Sequence, residues 1–101
     1  MEFEWDPDKN DRNIAGRGID FAWAIEIFRG PVIEWIDQRK DYGEERWIAI
    51  GEVDDIVLTL VYTWRGERRR IISAWKAHDR QRKSYRESFP EGEEGSSSEQ
   101  D

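Results

Sequence analysis

The sequence predicts an α+β fold: an antiparallel β-sheet with two helices ahead of it and one behind. Three observations carry this reading. Residues Ile56 to Trp64 form an almost continuous run of β-branched, aliphatic and aromatic side chains, the composition of a central strand. Shorter runs at 45–51 and 67–74 flank it across turns at Glu52–Asp55 and Arg65-Gly66, which makes a three-strand antiparallel meander. Phe21, Ala24, Ile25 and Phe28 recur at helical spacing, and Trp23 and Ile27 widen that stripe.

In chain order, Phe3 and Trp5 alternate with Glu2 and Glu4, so a short half-buried strand opens the chain. Asp6-Pro7 supplies a helix cap and a first helical position, predicting a polar helix over 7–15 that ends at Gly16 and Gly18. Asp20 caps the second helix and Gly30-Pro31 stops it. Residues 32–36 read as a strand and 37–43 as a charged loop. After the meander, a helix over 77–87 closes a domain that spans 1–89. Residues 90–101 are rich in Glu, Gly and Ser, with no apolar residue to bury, and are expected to form a disordered acidic tail.

The charge is unevenly placed. Between Arg65 and Arg86 lie nine Lys/Arg against Glu67 and Asp79, a local balance of +7 in a chain whose net charge is −7. The positive charge therefore sits in one strand-and-helix unit, which can steer a polyanion although the whole chain is acidic. No Cys is present, which excludes disulfides and thiolate metal sites, and a single His leaves no zinc set. Met1 leads directly into acidic and aromatic residues, and no apolar run approaches the roughly 20 residues that span a bilayer. These features predict a soluble, cytoplasmic protein without a cofactor.

Several constellations fail as sites. Asp6-x-Asp8-x-Asn10 opens like a calcium loop, but Asp11 stands where Gly is needed and Arg17 where a bidentate Glu is needed, so helix capping accounts for it better. There is no GxxxxGK loop and no GxGxxG fingerprint. Ser73 has only His78 as a possible base, with nothing to orient it. The basic unit is what remains. Arg68 and Arg70 share one strand face, with Arg69 and Ile71 on the other, a pattern that also fits a charge-protected edge strand. Lys76, Arg80 and Lys83 fall on one side of the expected last helix. Trp64, Trp75 and Tyr85 are interleaved with these cations, and rings among cations can stack on unpaired bases.

An ordered set of short motifs over residues 2–87 resembles the BrnT family, ribonuclease toxins of type II toxin–antitoxin pairs. The set opens with Phe3-Glu4-Trp5-Asp6, Lys9 and Asn13. Gly18-Ile-Asp-Phe21, Ala24 and Phe28 follow, then Asp37, Gly43-Glu44-Glu45-Arg46 and Gly51. It ends with Tyr62-Thr63-x-Arg65-Gly66, Arg70-Ile71-Ile72-Ser73-Ala74, Ala77 and Tyr85. The chain departs from the family pattern at three places. Gly16-Arg17-Gly18 stands for the family's Lys-His-Gly, Trp75 for an Arg, and Gln81 for a Glu.

The resemblance implies a fold similar to RelE-type ribonucleases. It implies RNA cleavage without a metal, inhibition of translation, and neutralisation by BrnA, a ribbon-helix-helix antitoxin through which the complex would bind operator DNA. Arg46, Arg65 and Arg70, carried from the matching motifs, are the candidates for holding the phosphate. Lys76, His78 and Tyr85 are the candidates for proton transfer. Arg68, Trp75, Arg80 and Lys83 are expected to bind the flanking RNA. A binding module that acts only through its antitoxin, and a housekeeping RNA-binding domain, are the competing readings.

Overall fold

β4 (Ile56–Arg65) occupies the middle of a five-stranded sheet of order β1-β5-β4-β3-β2 in the computed structural model, which describes residues 1–90. The other strands are β1 (Glu2–Trp5), β2 (Ile33–Ile36), β3 (Arg46–Val53) and β5 (Arg68–Lys76). The helices are α1 (Pro7–Arg17), α2 (Phe21–Ala24) and α3 (Asp79–Ser88), with a 3-10 turn at Ile25–Arg29. The α+β class, the meander and the central place of Ile56–Trp64 are as the sequence predicts. The acidic tail from residue 91 lies outside the described residues. Among the described residues, no helix is long and apolar enough to cross a membrane.

Four expectations need correction. The sheet is not wholly antiparallel: β1 pairs parallel with β5, Glu2 opposite Arg68 and Trp5 opposite Ile71. The connection from β1 to β5 runs through both N-terminal helices and three strands, which permits this, since parallel neighbours need a crossover where antiparallel ones need only a turn. β5 is consequently not an edge strand. Its last residues run on through Trp75 and Lys76, so Lys76 belongs to the strand and not to the last helix. The last helix starts at Asp79 with His78 as its cap residue, its backbone N–H donating to Gln81 Oε1 at 3.2 Å. Finally, the second helix tightens to 3-10 geometry from Ile25 onward before Gly30-Pro31 ends it.

Directly opposed residues share a face, so the register sorts the sheet into two. On the core face, Leu58, Leu60, Tyr62, Ile71 and Ala74 pack under Phe21, Ala24 and Ile27 of α2 and the 3-10 turn. Gly51 is what lets the turn come down. A Cβ at that position would lie 2.7 Å from Ile27 Cβ and 3.0 Å from Val32 Cγ1. On the opposite face, α3 covers one end only, with Tyr85 and Phe89 against Ile33, Ile50 and Val57.

β5 carries a bulge. Val61 pairs with Ser73 but Tyr62 pairs with Ile71, leaving Ile72 as the extra residue. β1 ends at the same point, and α1 takes over the outer edge of β5. Asn13 Nδ2 donates to Ala74 O and Ile19 O, both at 2.9 Å, and Asn13 Oδ1 accepts from Ala74 N at 3.3 Å. One buried amide thus satisfies backbone groups that β1 is too short to reach. α1 itself is capped as expected, with Asp6 Oδ1 accepting from Asp8 N at 2.9 Å and Gly18 closing the helix at φ 74°.

The loop between β2 and β3 is organised by Asp37. Its carboxylate accepts from Arg39 Nε and Nη2 at 2.8 and 2.7 Å and from Tyr42 Oη at 2.9 Å, while its own N–H donates to Arg46 O at 2.7 Å. The Asp37 side chain is 1% exposed. Its bonds to Arg39, opposed by burial and aided by Tyr42, hold its carboxyl well below the usual carboxylate range.

Two outcomes follow from these contacts. Gly51→Ala forces the 3-10 turn off the sheet and lowers stability by about 1–3 kcal/mol, read as a drop in the urea midpoint at unchanged slope. Asp37 has a depressed folded-state pKa. Its contribution is therefore fully present above the ordinary carboxylate pKa and is lost as pH falls toward the folded value. Asp37→Asn is expected to lower stability at neutral pH and to flatten the pH dependence below about pH 4, where an unperturbed Asp carboxyl titrates. Parallel acid limbs in the two proteins would contradict this.

Candidate functional site

The face that α3 only partly covers ends in a block of arginines. The register places Arg46, Thr63, Arg70 and Glu4 in one row across β3, β4, β5 and β1. The next row holds Arg65, Arg68 and Glu2. Neighbouring strands lie about 4.8 Å apart, so Arg46 and Arg70 start roughly 10 Å from each other. Four of the cations singled out from the sequence, Arg46, Arg65, Arg68 and Arg70, thus meet at one end of one face.

Carboxylates hold these cations in place. Glu44 bridges two of them, with Oε2 3.1 Å from Arg46 Nε and Oε1 3.0 Å from Arg65 Nη1. Arg65, and then Arg46, lower the Glu44 pKa against an opposing push from burial. Arg70 Nη1 lies 2.7 Å from Glu4 Oε2, and Arg68 Nε lies 3.1 Å from Glu2 Oε1. Arg46 also stacks on Tyr42, 4.3 Å from guanidinium carbon to ring centroid. Asp37 holds the hydroxyl of that same ring, so the loop buttresses Arg46 from below. Arg46 and Arg70 are 27% and 34% exposed, enough for a ligand to reach them.

The remaining predicted residues lie elsewhere. Tyr85 is buried under α3, its hydroxyl donating to Pro31 O at 2.8 Å. Lys76 sits at the far end of β5, opposite Leu58 of the core face. Its start is roughly 20 Å along the strand from Arg70 at about 3.3 Å per residue. His78, Arg80 and Lys83 are exposed at the α3 end. Trp64 is on the core face, where it joins Phe28 and Tyr62 around the Arg69 guanidinium at 4.4 to 5.1 Å. That slot is structural: burial, with Glu34 accepting the Tyr62 hydroxyl at 2.5 Å, pushes the Tyr62 pKa up to about 12.

Trp75 does share the arginine face, because the bulge at Ile72 shifts the alternation by one. Without the extra residue, Ser73 and Trp75 would point into the core with Ile71. The Arg17 guanidinium of α1 lies 4.8 Å from the Trp75 ring centroid. Sequence reasoning did not place Arg17, Lys9 or Arg12 in a site. All three line a cleft between α1 and β5 beside Ser73. A signal was present in Lys9, Arg12 and Gly16, which fall on one side of α1 at helical spacing.

Residues 5–81 match the family model described as the ribonuclease toxin BrnT of type II toxin–antitoxin systems. Among solved structures, the chain is similar to the ribonuclease toxin BrnT of Brucella abortus, at 30% identity and a TM-score of 0.60. The match covers 78% of this chain and 99% of that one. No curated protein matches at a comparable level. With the family model covering most of the chain and a BrnT structure sharing its fold, this protein belongs to the BrnT family of ribonuclease toxins of type II toxin–antitoxin systems.

Proposed function

We propose that this chain cleaves RNA without a metal ion, using the arginine end of the sheet to hold the scissile phosphate, and thereby inhibits translation. The observation that carries the reading is the meeting of Arg46, Arg65, Arg68 and Arg70 on one accessible face. Cleavage within the chain itself proceeds by attack of a ribose 2′-oxygen on the adjacent phosphorus. The new P–O2′ bond forms first and gives a five-coordinate phosphorane with extra negative charge on its phosphoryl oxygens; the P–O5′ bond then breaks, and the 5′-oxygen takes up a proton as it leaves. Guanidinium groups suit that charge: they stay protonated and grip two oxygens at once.

Proton transfer is the harder part to assign. Lys76 and His78, proposed for this from the sequence, start far along β5 from the arginines, and Tyr85 is internal. The acceptors at the arginine end include Glu2, Glu4 and Glu44, each engaged by arginine, and Glu4 and Glu44 are the two that hold Arg70 and Arg46. A phosphate that draws Arg70 or Arg46 onto itself frees the corresponding carboxylate to take the 2′-OH proton. The same carboxylates compete with phosphate in the resting protein, which limits affinity. In this reading Trp75, Arg80 and Lys83 serve the flanking RNA. The family implies an antitoxin, and we take it to be of the BrnA ribbon-helix-helix type, with operator DNA bound through it.

A second reading is favoured by one observation, the pairing of every arginine in the block with a carboxylate. In that reading the chain is a catalytically weak module that acts through its antitoxin, with the basic block receiving an acidic segment of the partner. Induced expression separates the two: growth arrest relieved by the partner supports the nuclease, and partner binding with neither arrest nor cleavage supports the module.

Arg46→Ala with Arg70→Ala is expected to fold and to lose RNA cleavage by at least about 10²-fold, the scale for removing preorganised charge stabilisation. Growth arrest should vanish with it. Undiminished toxicity from the folded double variant removes the assignment. Glu44→Gln should bind a non-cleavable oligoribonucleotide more tightly yet cleave more slowly. Faster cleavage would rule out a proton-accepting role for Glu44.

A further inference from the structure

Ion pairing divides the cations of this protein into two classes. Among the described residues, Arg29, Arg39, Arg46, Arg65, Arg68, Arg70, Arg82 and Arg86 each meet a carboxylate. Lys9, Arg12 and Arg17 of α1 have no such partner among the described residues, and neither have Lys40, Arg69, Lys76, Arg80 and Lys83; what sets the α1 three apart is that they share one cleft. These three line one shallow, open cleft of about 290 Å³, bordered on the other side by Ile72 and Ser73 of β5.

The placement follows from helical geometry. Lys9, Arg12 and Gly16 fall at i, i+3 and i+7, on the side of α1 that Asn13 anchors to β5. Asp11 falls on the opposite side, and Asp8, one turn before Arg12, forms no ion pair with it among the described residues. Gly16 adds a second observation. A glycine within a helix costs about 0.5–1 kcal/mol relative to alanine, and here packing does not require it, since a Cβ at this position would meet nothing within 4 Å. The bare backbone leaves the cleft open between Arg12 and Arg17.

The cleft is also continuous with the arginine face. Ser73 and Trp75 follow Arg70 along β5, brought to the same face by the bulge, and Arg17 lies over the Trp75 ring. A chain of phosphates held by Arg70 would therefore pass the unpaired cations beside Ile72 and Ser73, with the Trp75 indole under Arg17 one step further along β5.

We infer that the cleft between α1 and β5 is a second phosphate-binding subsite, which grips the RNA chain beside the arginine end. The inference rests on the RNA reading above. It assigns Lys9, Arg12 and Arg17 to binding and leaves the carboxylate-paired Arg46 and Arg70 to the scissile phosphate.

Fluorescence anisotropy of the full chain with a single-stranded 2′-O-methyl oligoribonucleotide, titrated with salt, tests it. Each phosphate contact in a single strand contributes about 0.7 to the slope of log affinity against log salt, so Lys9→Gln with Arg12→Gln should lower the slope by about 1.4 and weaken binding by about tenfold. Gly16→Glu, which brings a carboxylate into open space without a clash, should weaken binding as well. Arg29→Gln with Arg82→Gln removes the same charge from cations already paired to Glu26 and Asp79, and should keep the parent slope. A parental slope in both cleft variants, with a reduced one in Arg46→Ala/Arg70→Ala, overturns the subsite and leaves the RNA reading standing. A parent protein with no affinity for the oligonucleotide even at the lowest salt overturns both. Loss of affinity for the purified antitoxin, with RNA binding intact, makes the cleft a protein-docking surface and also overturns the subsite.

Discussion

The outer edge of β5 sets the constraint that the rest of the molecule answers. Unpaired N–H and C=O groups along a buried strand edge are costly, and this edge is covered by two unlike partners. β1 pairs with its first half in parallel register, and the side chain of Asn13 closes on Ala74 in its second half. The hand-over falls at the Ile72 bulge. Because β1 leads straight into α1, one short segment of chain both completes the sheet and lays a cationic helix along it. Shortening β1 or removing the Asn13 amide would expose the strand that carries Arg68, Arg70, Ser73 and Trp75.

Electrostatics on the arginine face is a balance between attraction and restraint. Four guanidinium groups so close together would repel one another and scatter without counter-charges. Glu2, Glu4 and Glu44 hold them at hydrogen-bonding distances. The result is a preorganised but largely neutralised block, and a phosphate must displace carboxylates to enter. Preorganisation of this kind favours the charge that develops during reaction over ground-state binding. Affinity then has to come from elsewhere, which is why cations without carboxylate partners along the same face carry weight.

Two of the departures from the BrnT pattern meet in space. By the resemblance read from the sequence, Arg17 stands for a His and Trp75 for an Arg, and the two side chains stack on each other. That corner of the molecule carries the positive charge of Arg17 over an aromatic ring. The third departure, Gln81, is occupied structurally: its Oε1 accepts from Thr59 Oγ1 at 3.0 Å and from the His78 backbone.

Local pattern in the sequence determined the elements and much of their order. The β-branched run at Ile56–Trp64, the cap at Asp6-Pro7, the stop at Gly30-Pro31 and the cationic stretch from Arg65 all act over a few residues, and each is visible without the fold. Arg68 and Arg70 on one side and Arg69 on the other was legible for the same reason, since strand alternation is local. What only the tertiary structure decided depends on partners distant in the chain. The parallel docking of β1, the bulge that turns Ser73 and Trp75 toward the arginines, the burial of Tyr85 and the lodging of Arg69 among Phe28, Tyr62 and Trp64 all arise between segments far apart in sequence. Periodicity cannot register an extra residue whose only mark is the pairing of a neighbouring strand, and charge counting cannot tell a cation that meets a carboxylate across the sheet from one that does not.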